Sequence, residues 1–166
     1  MIKLNDRRDF SLNNIQAHSL SEIRKVVRKL TSGHHLGVLS CVDPFGRPHS
    51  SWMGTVYAED YQTIVAISSP EGRKVKYIEQ NPQVEWMVAD EQLFHVVYFK
   101  GVARIMEDAA EIKKAWNDIP DKSRSYFLRF QDRGVGFKII ETKVKSVEYR
   151  VPTENIFVEV AVSDLA

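Results

Sequence analysis

The feature that most constrains this chain is a series of long segments with strand-like patterning, separated mostly by connections of hairpin length. Residues 34–42, 49–58, 62–68, 84–89, 94–106, 136–142 and 145–151 are rich in β-branched and other apolar residues, and Asp43-Pro44-Phe45-Gly46-Arg47-Pro48 supplies turn chemistry between the first two. Parallel neighbours need a crossover helix, for which most of these connections are too short, so a doubly wound parallel sheet is disfavoured. An open antiparallel sheet of this size would leave long pairing edges exposed. The expected fold is therefore mostly β, with six or seven antiparallel strands curled into a small β-barrel and short peripheral helices at its ends. Residues 156–162 read as one more strand or as a tail that pairs with another chain.

The helices announce themselves by their caps. Ser19-Leu20-Ser21-Glu22 is a capping box, followed by Ile23, Val26, Val27 and Leu30 at helical spacing, with Gly33 placed to end the helix. Asp108 and Glu111 form a second such box ahead of Ile112, Ala115 and Trp116. Between them, residues 71–80 make a short helix with Val75 and Ile78 facing inward, ended by Asn81-Pro82 because a residue before proline is driven out of the α region. Gly101, inside a long strand, reads as a bulge. The domain expectation is a polar N-terminal arm over 1–18 that docks on a partner subunit, a barrel over 19–151, and a tail or extra strand over 152–166.

With 166 residues the chain fits one domain, and 23 basic against 22 acidic residues leave a net charge of +1. No large field favours nucleic acid or an anionic membrane, so any basic site is local. Cys41 is the single cysteine, and no stretch reads as a signal peptide or membrane span, which sets a cytoplasmic expectation.

Ser68-Ser69-Pro70-Glu71-Gly72-Arg73-Lys74 is the candidate for local basic chemistry. It closes an apolar run and opens a helix with hydroxyls and two cations. A helix start leaves backbone N–H groups unpaired at the positive end of the dipole, so it favours an anion before any side chain contributes. Gly72 leaves room for close approach, and Arg73 and Lys74 add formal charge. The same residues also describe an ordinary capped helix. On the strand that begins after Pro48, alternation puts His49, Ser51 and Met53 on one face and Ser50, Trp52 and Gly54 on the other. Either face can border a site, and Trp52 and Met53 equally suit a core.

The remaining polar candidates are less productive. Adjacent His34 and His35 face opposite ways on a strand, His18, His49 and His95 are scattered, and Cys41 among apolar neighbours reads as an inert buried thiol. No metal site is expected. Glu59-Asp60 and Asp90-Glu91 read as solvated turns, and no Walker loop, dinucleotide fingerprint or serine-hydrolase elbow occurs.

The order of these features resembles a known family. Leu36-Gly37-Val38-Leu39-Ser40, the turn from Asp43 to Pro48, Ser68-Ser69-Pro70 with Arg73-Lys74-Val75, Ile78, Asn81-Pro82-Gln83-Val84, Phe99-Lys100-Gly101-Val102-Ala103, Glu107-Asp108 and Lys114-Ala115-Trp116 together resemble the pyridoxamine 5'-phosphate oxidase-like FMN-binding split barrels, most closely their general-stress-protein branch. The resemblance implies a split β-barrel homodimer with FMN in two interfacial clefts. It implies that Ser68, Ser69, Arg73 and Lys74 hold the flavin phosphate, and that Ser50, Ser51, Trp52 and Met53 run along the isoalloxazine ring. Trp116 is expected near the partner's cofactor, at the interface or in the core.

Two departures shape the functional expectation. Relatives often carry a further basic residue on the second strand, where this chain has Ser50, Ser51 and Trp52, and the arginine and histidine pattern of the true oxidase near the chain end is not evident. Oxidation of pyridoxamine phosphate is therefore not expected. The expectation is an FMN-dependent oxidoreductase that moves electrons from a reduced nicotinamide to a small acceptor, the flavin performing the redox step while the protein places and tunes it. Alternatives are a non-catalytic flavin-binding stress sensor or carrier, and a deazaflavin- or haem-binding branch of the same fold.

Overall fold

The computed structural model describes residues 19–32, 35–57, 60–119, 124 and 136–166. The expected arm over 1–18, His18, His34, Glu59 and nearly all of 120–130 lie outside them. Seven strands, β1 (His35–Val42), β2 (Pro48–Tyr57), β3 (Thr63–Ser68), β4 (Gln83–Ala89), β5 (Val96–Ile105), β6 (Lys138–Val151) and β7 (Ile156–Val160), form one antiparallel sheet in the order β3-β2-β1-β4-β5-β6-β7. The described residues also contain three α-helices, α1 (Leu20–Thr31), α2 (Arg73–Gln80) and α3 (Ala109–Asp118).

The sheet curls because β3 pairs on its second edge with β6, from Thr63 opposite Lys143 to Ser68 opposite Lys138. Between β2 and β3 only Val56 with Val65 and Tyr57 with Ile64 are in register. The strands diverge beyond those two pairs, which makes this a split barrel rather than a fully hydrogen-bonded cylinder.

The sequence-based boundary at Lys145 does not occur: residues 138–151 are one continuous strand. Its first half pairs with β3 and its second half with β7, while β5 runs along its other edge. The register shift that permits this lies opposite, between Lys100 and Gly101. A Cβ on Gly101 would stand 2.3 Å from the Lys143 carbonyl oxygen, so the expected bulge is a place where two backbones approach too closely for any side chain.

Helix α1 is held by the reciprocal box, Glu22 N–H donating to Ser19 Oγ and Ser19 N–H to Glu22 Oε2. Its Ile23, Val27 and Leu30 enter the main core with Trp86, Phe99 and Tyr149. Trp86 places its one polar atom by donating Nε1–H to Thr142 Oγ1 at 3.0 Å, and both residues are fully buried. Val75 and Ile78 of α2 are buried where that helix lies against β1 and β5. Helix α3 covers the opposite side of β3, where Ile112 and Ala115 meet Val65 and Ile139. No described helix is long and apolar enough to cross a membrane.

Candidate functional site

The segment from Ser68 to Lys74 folds into a tight corner between β3 and α2. Ser68, at the last position of β3, is only 2% exposed and donates its hydroxyl to the Ser69 carbonyl at 3.2 Å. The Gly72 N–H donates to the same carbonyl at 3.0 Å, closing the turn. The helix therefore begins later than its hydroxyls suggested, with Gly72 as the cap residue and no side-chain cap. Ser68 is committed to the turn instead of the cap. The Val75 N–H closes on the Gly72 carbonyl, and the N–H groups of Arg73 and Lys74 before it project from the open helix end.

Lys74 curls back over that end. A Cβ placed on Gly72 would meet Ser68 Oγ at 3.1 Å, the Ser69 carbonyl at 3.1 Å and Lys74 Nζ at 3.5 Å. The space above Gly72 is thus a small recess bordered by the Ser68 hydroxyl, the Ser69 carbonyl oxygen and the Lys74 ammonium. Burial holds the Lys74 ammonium below the ordinary lysine range, and the nearby Cys41 opposes that only where its thiol is ionised. Among the described residues neither Arg73 nor Lys74 has an ion-pair partner. A half-buried cation without a counter-charge is electrostatically costly in the free protein, and an arriving anion relieves that cost.

A second group of side chains adjoins the corner from β2. His49 sits opposite Cys41 in the β1–β2 ladder and lies edge-on to Tyr77 of α2, with ring centroids 5.5 Å apart. Its Nε2 is 3.3 Å from Ser51 Oγ. Tyr77 follows Arg73 by four positions and Lys74 by three, so all three share a face of α2. His49 is held below the ordinary histidine range, first by burial and then by the positive charges of Arg73 and Lys74, with Asp43 acting in the opposite sense.

The expected site residues therefore separate into three places. Ser68, Ser69, Arg73 and Lys74 are together at the corner; Ser51 and Met53 lie on the inner face of β2, Ser51 beside His49 and Met53 in the core. Ser50 and Trp52 are on the outer face, where Ser50 Oγ meets Ser40 Oγ at 3.0 Å and Trp52 is 73% exposed. Trp116 stacks on Phe137 at 4.7 Å beside the small cluster under α3, across β3 from the corner. His49 and Tyr77 were not singled out by sequence reasoning. Alternation placed His49 with Ser51, but only the docking of α2 shows which face of β2 meets the cations.

The outer face has its own character. Register runs Trp52 to Val38, Val38 to Met87 and Met87 to Tyr98, an apolar row across β2, β1, β4 and β5. Leu36, 61% exposed, extends it along β1.

Comparison with known proteins bears on the fold and the family. No curated protein sequence matches the chain. Among solved structures, general stress protein 26 from Bacillus anthracis is similar at 18% identity and a TM-score of 0.61, covering 83% of this chain and 98% of its own. A protein related to general stress protein 26, of the pyridoxinephosphate oxidase family, from Clostridium acetobutylicum is similar at 13% identity and a TM-score of 0.68, covering 89% and 96%. A FAD-binding protein from Mesorhizobium loti reaches a TM-score of 0.56 at 19% identity, covering 75% and 91%. These likenesses show the fold. The sequence profile of pyridoxamine 5'-phosphate oxidase matches residues 23–150, most of the length, and on that match the chain belongs to the pyridoxamine 5'-phosphate oxidase family.

Proposed function

We propose that this protein is a flavoprotein that binds FMN non-covalently, with the phosphate in the corner formed by Ser68, Ser69, Arg73 and Lys74, and that it is an oxidoreductase acting between a reduced nicotinamide and a small acceptor. The observation that carries the reading is Lys74, whose ammonium bends over the cradle above Gly72 without a counter-ion among the described residues. The residues fit a phosphate: two side-chain cations, an open helix end and a cap residue, Gly72, with no side chain to block approach. The family match and the likeness to a FAD-binding protein support a flavin.

In this reading Arg73 and Lys74 bind the charge, and the Arg73 and Lys74 N–H groups orient it. Bound FMN would supply the hydride-accepting ring, so no side chain is required to act as acid or base. The outer row of Trp52, Val38, Met87 and Tyr98 is offered to a second copy of the chain, which gives a homodimer. An exposed tryptophan in a row that spans four strands suits an interface better than water. Ser50 and Trp52 then line the junction of the two copies.

The absorption spectrum of the purified protein tests the cofactor: flavin bands are expected, and deazaflavin or haem bands would replace FMN with another ligand of the same fold. Oxidation of NADH or NADPH tests the reaction. A rate above that of free FMN is expected, and a rate equal to it would leave a flavin-binding protein without turnover.

A further inference from the structure

The corner contains more basic chemistry than Arg73 and Lys74. On β2, Ser50, Ser51 and Trp52 offer no cation, but His49 projects from the inner face of that strand onto the side of α2 that carries both. We propose that His49 is the third basic group of the corner: it takes up a proton when a phosphate-bearing ligand settles on Arg73 and Lys74, so that binding is proton-linked. This inference rests on the phosphate reading given above.

The groups around His49 are Cys41 from β1, Asp43 from the β1–β2 turn, Ser51 on its own strand, and Arg73, Lys74 and Tyr77 from α2. Among the described residues that act on it only Asp43 is an acid, and it is already engaged. Its Oδ1 accepts from the Phe45 and Arg47 N–H groups, each at 2.9 Å, and its Oδ2 from Arg47 Nε at 2.7 Å. Cys41 is buried and its thiol is pushed up by that burial, so it supplies no negative charge at neutral pH.

In the free protein the field at His49 is therefore set by burial and by two cations that have no ion-pair partner among the described residues, and both keep the imidazole neutral. A dianion on Arg73 and Lys74 cancels the repulsion and substitutes an attraction. The imidazole gains its charge where that charge strengthens the grip. Linkage fixes the sign: binding that takes up a proton tightens as pH falls. The phosphate itself gives the opposite sign, because a ligand with its second ionisation near pH ~6 loses protons on binding to cations.

Calorimetric titration of FMN at pH 7.0–8.0, in pairs of buffers with different ionisation enthalpies, counts the protons, with riboflavin as the ligand that lacks phosphate. Net uptake is expected with FMN and none with riboflavin. The preference for FMN over riboflavin should rise several-fold from pH 8.0 to pH 7.0, with a limit of about tenfold per unit for one proton. His49→Gln removes both the uptake and the rise. His49→Arg keeps the preference and makes it flat with pH. Thermal melts establish that each variant is folded, and the wild-type proton count needs no variant. An FMN preference without proton uptake in the wild type, or equal uptake in His49→Gln, overturns the role of His49 while leaving the phosphate corner standing. No preference for FMN over riboflavin in the wild type overturns both.

Discussion

Lys74 and Lys100 are both half-buried lysines, and they meet opposite fates. Lys100 on β5 reaches Glu148 Oε2 at 2.9 Å, and that hydrogen bond raises it above the ordinary lysine range. Lys74 at the start of α2 has burial and, among the described residues, no carboxylate partner, and is lowered. The helix starts divide in the same way. α1 and α3 are closed by Ser19 and by Asp108, whose Oδ1 accepts from the Ala110 and Glu111 N–H groups, whereas α2 is left open at Gly72. One part of the molecule satisfies its polar groups internally, and the other leaves donors and charge for something from outside. That pattern is expected of a binding site held on a stable frame.

The largest effect should come from comparing two glycines. Gly101→Ala forces a Cβ against the Lys143 backbone and should cost about 2–3 kcal/mol in urea unfolding, with the preference for FMN kept in the folded fraction. Gly72→Ala meets only the Ser68 hydroxyl, the Ser69 carbonyl and the end of Lys74. It should change stability by no more than about 1 kcal/mol and weaken FMN by about tenfold, because it fills the cradle. If Gly72→Ala binds FMN as the wild type does, the space above Gly72 is not the phosphate site.

The two lysines should respond with opposite signs. Lys100→Met leaves buried Glu148 with Arg150 alone and should lose about 1–2 kcal/mol, a figure kept small because Lys100 is itself 42% exposed. Lys74→Met removes an uncompensated charge and should gain about 1 kcal/mol in the ligand-free protein. Equal losses in both would show that Lys74 has a stabilising partner after all. At a helix start, Ser19→Ala should cost about 1 kcal/mol through the lost cap and leave FMN affinity unchanged.

The smallest effect lies at alkaline pH. Lys74 is lowered in the folded state, so the unfolded chain binds more protons there, and its penalty fades as pH rises through the folded value toward the ordinary one near pH ~10.4. Tyr149 works the other way: burial, with Glu154, Glu22 and Asp90 adding to it, pushes its phenol up to about 12, so stability falls once the unfolded tyrosine ionises above pH ~10. Comparing wild type with Lys74→Met between pH 8 and pH 10 isolates the lysine. The stability gap between them should narrow as pH rises, and a constant gap would mean that Lys74 carries no penalty.

Much of the frame was legible because its signals are local. The Ser19–Glu22 box, the Asp43–Pro48 turn, Asn81-Pro82 and the Gly101 bulge each act within a few residues, and each marks a boundary or irregularity in the structure. Reading 136–142 and 145–151 as two strands leaves out Lys143 and Val144, which are an exposed and a buried position on one strand that passes from one partner to another. Part of the candidate site was legible as well: Ser68, Ser69, Arg73 and Lys74 are consecutive or nearly so. What stayed hidden depends on the packing of distant elements. That Ser68 turns inward instead of capping, that His49 faces α2, and that Trp116 stacks on Phe137 follow from how β2, α2 and α3 pack, which no short spacing records.

The most direct measurement of the central claim is the affinity for FMN and for riboflavin in the wild type and in the Arg73→Ala, Lys74→Ala double variant. Two charged contacts, each worth about 1.5–3 kcal/mol, predict that the double variant loses about a hundredfold or more of its FMN affinity while riboflavin binding scarcely changes. Equal losses for the two ligands, or an undiminished preference for FMN, would contradict the account.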